Sequence, residues 1–284
     1  MKKFLTLAAN DIKRRYRQLA FWIQGERYNV SFSEIIKHVL GIQDRFLVRL
    51  KRIVKISSDG ENYAAHIKGL DYPLFFPKTL PLKQFWIVVG EQFMPNSWHL
   101  YEIRALPQVR ISKNDIVVDC GAADGLFSLI AAQKASKVYA LEPVPEFIRS
   151  MHRTFKDIKN VEIIEAAVSN KRENAFLTVD GFSSALSNSN GIPVRIETLD
   201  SLFYDRNIKI DFIKADIEGA ELDMLQGAKQ CLIHYQPKLA LTAYHRPNDV
   251  KEMIRIISSI NNNYKFYSKG IARTGGAVML FAWV

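Results

Sequence analysis

The chain has 284 residues, 48% of them hydrophobic and 24% charged, with a formal net charge of +10. This is the composition of an ordinary soluble globular protein with room for one large or two modest domains, and no run approaches a membrane span. The two cysteines, Cys120 and Cys231, lie in apolar contexts, which excludes a disulfide framework or a cysteine metal site and predicts a reducing, cytoplasmic compartment.

The charge is unevenly placed. Residues 1–55 hold 13 Lys/Arg against 4 Asp/Glu, a net +9, whereas the other 229 residues hold 26 against 25. Lys2 and Lys3 precede an apolar patch, Phe4 to Ala9, too short for a signal peptide. Leu5, Ala8, Ile12, Tyr16, Leu19 and Ile23 recur at helical spacing, with Lys13, Arg14, Arg15 and Arg17 mostly on other faces. A second helical pattern runs from Ser33 to Leu50. These helices pack on the main body, or else make peripheral contact with an anionic membrane or an acidic protein. Nucleic acid is disfavoured, because no recognised binding module accompanies the charge.

Val48 to Ile56 tends to alternate, and Asp59-Gly60 marks a hairpin before Tyr63 to Ile67. That completes a basic helical and hairpin extension over residues 1–84. Pro73, Pro77, Pro81 and Pro95 then break up a connector, in which Phe85 to Val89 reads equally as strand or helix. The aromatic-rich segment from Glu91 to Glu102 falls near a cleft entrance. His99 within it reads as a packed or surface histidine.

The main domain, 85–284, is built around Asp115 to Glu142. Ile116-Val117-Val118 is an apolar strand ending at Asp119. Gly121-Ala122-Ala123-Asp124-Gly125 is a small-residue turn, followed by a helical pattern. Val138 to Leu141 is a second strand, ending on Glu142-Pro143. This is one βαβ unit with a carboxylate at the second strand's tip, where an acid accepts both hydroxyls of a ribose. Gly121 and Gly125 are expected where backbone approaches the ligand. The dinucleotide fingerprint G-x-G-x-x-G fails, since Ala123 and Leu126 occupy its second and third glycine positions. Asp119 and Asp124 disfavour a pyrophosphate but suit S-adenosylmethionine, which carries an ammonium and a sulfonium.

Pro145 starts a helix, and Val161 to Ile164 is a third strand before Glu165-Ala166-Ala167, where small residues leave room for adenine. Phe176 to Val179 and Val194 to Glu197 are short strands around a polar loop, Asp180 to Gly191, with Ser183, Ser184, Ser187, Asn188 and Asn190. It reads by default as a solvent loop and otherwise as a lid or acceptor-binding element. Asp211 to Ala215 reads as a buried strand that nevertheless carries Lys214 and leads into Asp216, Glu218 and Glu221. A charge in a core strand is costly unless paired or used. Gly219 turns into a helix from Glu221 to Ile233. Lys238 to Thr242 is the next strand, ending near His245, and Asn248 or Asp249 caps the following helix. Tyr264 to Tyr267 and Ala277 to Trp283 form an antiparallel C-terminal hairpin.

The set VVDCGAADGLFSLIAA, VYALEP, IETLDSL, IDFIKADIEGAELDMLQGA and PKLALTAYH resembles the FkbM family of S-adenosylmethionine-dependent methyltransferases over roughly residues 85–284. The resemblance implies an α/β fold of the class I methyltransferase type, Rossmann-like, with a seven-stranded, mostly parallel sheet. It also implies O-methylation of a hydroxyl on a polyketide, glycan or other small-molecule acceptor. Where many members have Asn-Ile, this chain has Ala123-Asp124. On this basis Glu142 and Pro143 hold the ribose side, and Asp119, Gly121, Ala122, Ala123, Asp124 and Gly125 the methionine end. Ala166 and Ala167 flank adenine, and Asp216 faces the donor methyl, with Lys214, Glu218 and His245 beside it. His245 is the first choice of base because its ordinary pKa is near neutrality, and Asp216 the second. Lys214 alternatively forms a structural ion pair with Asp216 or Glu218. A divalent metal between Asp216, Glu218 and His245 is allowed by donor type, but no ligand spacing demands it and none is expected. A nucleic-acid methyltransferase and a non-catalytic S-adenosylmethionine-binding scaffold are the rival readings.

Overall fold

The computed structural model describes the backbone except at residues 1, 43–45, 181–182, 188–190 and 247, and the side chains outside 1–10, 43–49, 179–190 and 247. The extension opens with α1 (Lys2–Ile23), α2 (Phe32–Val39) and α3 (Phe46–Ile53). The helix expected over 33–50 is therefore two. A capping box between Ser31 and Glu34 starts α2, and Gly41, at φ 65°, lies just past its end. Strands β1 (Val54–Asp59) and β2 (Asn62–Ile67) form the expected hairpin through a two-residue turn, and β3 (Leu74–Pro77) pairs antiparallel with β2. Residues 85–89 belong to a helix, α4 (Leu82–Phe93), which buries Phe85 and Val89 one turn apart.

Next come β4 (Ile116–Cys120), α5 (Leu126–Ala132), β5 (Lys137–Leu141), α6 (Pro145–Thr154) and β6 (Val161–Ile164). A separate four-stranded sheet follows, β7 (Ala167–Val168), β8 (Glu173–Asp180), β9 (Ser183–Ser187) and β10 (Ile192–Glu197), in the order β7-β10-β8-β9. Strand β9 occupies part of the stretch expected as a solvent loop. Its serines do not oppose a strand, because an antiparallel ladder to β8 is made by backbone alone. Asn188 and Asn190 lie outside the described residues.

The remaining elements are β11 (Phe212–Ala215), α7 (Glu221–Gln226), α8 (Lys229–His234), β12 (Lys238–Thr242), α9 (Asp249–Ile260), β13 (Lys265–Ile271) and β14 (Ala277–Trp283). The single helix expected over 221–233 breaks at Gly227, where a Cβ would sit 2.1 Å from the Ser169 carbonyl oxygen. The Asp200 carboxylate then accepts from the backbone N–H groups of Gln230 and Cys231 and caps α8. At α9, Asn248 makes no side-chain cap bond, and the Asp249 carboxylate accepts from the Arg246 N–H.

The main sheet is seven-stranded, in the order β13-β14-β12-β11-β4-β5-β6. Only β14 runs against its neighbours, giving the expected antiparallel hairpin. Strand order reverses at β4, between β5 and β11, and this switch point opens a cleft beyond the carboxyl ends of the strands. Residues on both sides of position 84 share one core, in which Leu50 and Phe76 pack with Phe85, Leu126, Phe147 and Met151. Among the described residues, no helix is long and apolar enough to cross a membrane.

The turn glycines adopt positive φ, 73° at Gly121 and 85° at Gly125. A Cβ on Gly121 would lie 2.1 Å from the Asp216 carbonyl oxygen, and one on Gly125 would lie 2.8 Å from the Phe155 ring. Contacts inside the protein therefore already require glycine at both positions. Gly121→Ala is expected to cost about 3 kcal/mol or more, as strain at positive φ adds to overlap with backbone that cannot yield. Urea unfolding measures this, and a loss below about 1 kcal/mol would contradict the steric account.

Candidate active site

Three adjoining cavities meet at the switch point. The first, ≈ 340 Å³, is lined by Ala123, Glu142, Pro143, Ala166 and Ala167, with Phe147 and Leu177 as apolar walls. It continues into a second of ≈ 200 Å³ bounded by Ala122, Asp124, Tyr101 and Lys214, and Gly121, Asp216 and Glu218 line both. A third, ≈ 590 Å³, lies beneath the extension against Arg14, Gln18, Trp86, Ile87 and Trp98. Glu91, His99 and Tyr244 form the wall it shares with the second.

Most residues expected around the cofactor are thus brought together, but Asp119 and Gly125 line none of these cavities. Asp119 is wholly buried, with Oδ2 accepting from Ser128 and Oδ1 lying 2.8 Å from Lys214 Nζ. Lys214 also donates to the Gly121 carbonyl at 2.6 Å and the Cys120 carbonyl at 3.2 Å. Its ion-pair partner is therefore Asp119, not Asp216 or Glu218. With its donors turned onto β4, Lys214 holds the turn rather than taking part in proton transfer.

Glu142 sits at the tip of β5, 4% exposed, and each carboxylate oxygen accepts one backbone N–H, from Ala123 and from Val144. Burial pushes its pKa up to about 7, against those two bonds. Asp124, on the turn, is likewise raised by burial to about 6. Its Oδ1 accepts from the Leu126 N–H, while the buried Oδ2 has no hydrogen-bond partner among the described residues.

Asp216 is the hub of the second cavity. Tyr101 donates to its Oδ2 at 2.8 Å and Tyr244 to its Oδ1 at 3.4 Å, with the His99 and His245 Nε2 atoms at 3.4 and 3.9 Å. Burial alone would raise its pKa. His99 beside it, helped by Lys214 and His245, instead holds it well below the usual carboxylate range. His99 in turn bridges to Glu91, 3.2 Å from Nδ1. Burial disfavours its charge, but Glu91 and Asp216 outweigh that and raise it to about 10. For His245, too, burial is outweighed, here by Glu218 and Glu221 with Asp216, and the result is again about 10. The ground for choosing His245 as base, a pKa near neutrality, does not hold in this setting.

Sequence reasoning missed Glu91, His99, Tyr101 and Tyr244. The aromatic cluster around residues 93–101 was the available signal, but nothing in its spacing ties it to Asp216, 115 positions after Tyr101.

The family model for the methyltransferase FkbM domain matches residues 119–266. A 65-residue stretch is 43% identical to an uncharacterized RNA methyltransferase of Oceanobacillus iheyensis, covering 22% of this chain and 14% of that one. Another of 112 residues is 30% identical to an uncharacterized protein of Methanocaldococcus jannaschii, covering 38% of this chain and 40% of that one. The structure of an FkbM methyltransferase from Methylobacillus flagellatus KT matches with TM-score 0.51 at 20% identity, over 90% of this chain and 62% of that one, a likeness of fold. The chain spans less than two thirds of the length of each of these proteins.

The buried acids set a pH dependence. Glu142 has an ordinary pKa of 4.5 and one of about 7 here, so between these values the unfolded chain holds fewer protons. The stability contribution is complete below 4.5 and is lost as pH rises through about 7. Asp124 acts with the same sign up to about 6. Urea unfolding across this range should show stability falling with pH, with a shallower slope in Glu142→Gln. An unchanged slope in that variant would contradict the assignment.

Proposed function

We propose that this chain, which belongs to the FkbM methyltransferase family, methylates a hydroxyl of a polyketide, glycan or other small-molecule acceptor in the cytoplasm. S-Adenosylmethionine is the cofactor of the family, and the donor set of the cleft fits it. A buried carboxylate stands at the β5 tip, alanines face a flat apolar slot, and Asp124 Oδ2 lacks a partner near the turn. When bound, the cofactor supplies a methyl group on a positively charged sulfur, which keeps the bonding electron pair as the methyl passes to the acceptor oxygen.

This chain's residues supply position and a place for the proton. Glu142 accepts the ribose hydroxyls, Ala166 and Ala167 leave space for adenine, and Asp124 faces the ammonium. The observation that carries the small-acceptor reading is the ≈ 590 Å³ cavity with its Trp86, Ile87 and Trp98 walls, which meets the cofactor cleft at Glu91, His99 and Tyr244. Such a chamber encloses a small apolar or partly apolar body. With both imidazoles charged, the hydroxyl proton goes to a carboxylate. Glu91, which lines both cavities, takes that role in place of His245.

A nucleic-acid acceptor is the second reading. It is favoured by the +9 charge of residues 1–55 and by the RNA methyltransferase likeness. Steeply salt-dependent RNA binding would select it. For the extension we propose contact with an anionic membrane surface. Ile12, Tyr16 and Ile23 share one face of α1 and are 55%, 60% and 68% exposed. Flotation with anionic vesicles, absent with neutral ones and lost in Ile12→Asp, is the expected result.

Glu142→Ala is expected to weaken S-adenosylmethionine binding at least about tenfold by calorimetry, since charged hydrogen bonds contribute about 1.5–3 kcal/mol each. In the unaltered protein, affinity should rise with pH through about 7, because the ribose donors favour the ionised carboxylate. Unchanged affinity in the variant would remove the cofactor assignment. Glu91→Gln should lower turnover by about 100-fold or more while cofactor affinity holds. Unaltered turnover would dismiss Glu91 as the proton acceptor.

A further inference from the structure

At the end of β12, His245 is held among three carboxylates in a way that does not resemble hydrogen bonding. Its Nε2 lies 3.5 Å from Glu218 Oε2 and 3.9 Å from Asp216 Oδ1, and its Nδ1 lies 3.3 Å from Glu221 Oε1. The side chain is 11% exposed, yet neither ring nitrogen has an aligned hydrogen-bond partner among the described residues. An imidazole bonded directly to a carboxylate would close to about 2.8 Å. Two ligands that each sit about 2.1 Å from a shared cation stand about 3.0–3.4 Å apart. One ligand atom from each of Asp216, Glu218 and His245 falls within a span of 4.8 Å, so side-chain rotations that close these distances by up to about 1.5 Å admit an ion.

We propose that Asp216, Glu218 and His245 form a binding site for one divalent first-row metal ion, of the Mn²⁺ type, at the edge of the cofactor cleft. The class follows from the donors. An imidazole with two carboxylates suits Mn²⁺, Fe²⁺ or Zn²⁺ better than Ca²⁺ or Mg²⁺, which favour oxygen throughout. The surroundings are those of a metal centre. Glu221 is 1% exposed, its Oε1 accepts from the Ile217 N–H and the Thr242 hydroxyl, and it faces Nδ1, so Nε2 is directed at the other two ligands. Closing the 3.3 Å gap to Glu221 would let Nδ1–H donate to it, the arrangement by which a carboxylate behind a ligating histidine fixes the ring. Glu218 is presented from the left-handed region, at φ 55°, just before Gly219 at 96°, a turn that brings it back toward His245. Asp216 and Glu218 also line both cofactor cavities, so the remaining coordination positions open onto the cofactor cleft, next to the wall it shares with the third cavity. A cation there binds the acceptor oxygen and lowers its pKa. That role rests on the methyl-transfer reading, whereas the site itself does not.

The test is Mn²⁺ alone, titrated into the full chain and followed by electron paramagnetic resonance. Saturation at one ion per chain is expected, with echo modulation from a coordinated imidazole nitrogen. Glu218→Gln, at an exposed position, and His245→Ala should each weaken binding at least about tenfold, and His245→Ala should abolish the modulation. Glu252→Gln, on the far surface of α9, should leave the affinity unchanged. Circular dichroism establishes that the variants fold, and Glu218→Gln decides alone if His245→Ala does not. No saturable binding up to about 1 mM, unchanged affinity in Glu218→Gln, or binding without the nitrogen signal would each overturn the site. S-Adenosylmethionine calorimetry run alongside separates the two ideas. Cofactor binding without Mn²⁺ binding removes only the metal, and the converse removes only the function proposed above.

Discussion

The site depends on one buried ion pair. Lys214 of β11 and Asp119 of β4 are 4% and 0% exposed, and they join the two strands on either side of the switch point. Such a pair is costly to bury, and losing one partner typically costs about 3–5 kcal/mol because the other charge is stranded. Here the lysine also donates to two carbonyls at the start of the cofactor turn. That turn must be fixed, since the Ala123 N–H bonds to Glu142 and Gly121 packs against the Asp216 backbone. The ion pair therefore sets the positions of the carboxylates on both flanks of the cleft.

Around Asp216 the structure gathers more charge than the fold needs. Glu91, Glu218 and Glu221 surround His99 and His245, and both imidazoles are retained as cations. A cleft so rich in carboxylates favours positive charge of any origin. The sulfonium and ammonium of the proposed cofactor are the kinds of species it would accept, and a divalent ion would bind His245 only by displacing the imidazolium proton. Neutral histidine, the ordinary general base, is what it disfavours.

The extension belongs to the site as much as to the surface. Gln18 of α1 donates to the Ile271 carbonyl and lies 2.8 Å from His38, whose ring packs tilted against Trp98 at a centroid distance of 4.5 Å. Trp98 precedes His99 and packs close to Gly270 of β13. The third cavity is thereby roofed by elements remote in sequence from the sheet. If the third cavity takes the acceptor as proposed, its selection would fall to the extension.

The parallel strands, the acid at the β5 tip and the small-residue turn were legible in the sequence because each is a local pattern. Apolar runs, a glycine turn and strand-end carboxylates fall within some 28 residues, Asp115 to Glu142, so chain connectivity alone brings them together. The tertiary structure decided which charges meet. Lys214 pairs with Asp119 rather than with Asp216 or Glu218, because Lys214 and Asp119 are register partners on adjacent parallel strands while the other two acids lie past the end of β11. It also decided that His99, Tyr101 and Tyr244 converge on Asp216, and that His245 is charged. A histidine's protonation depends on the sum of nearby carboxylates and burial, and that sum exists only once distant segments have packed.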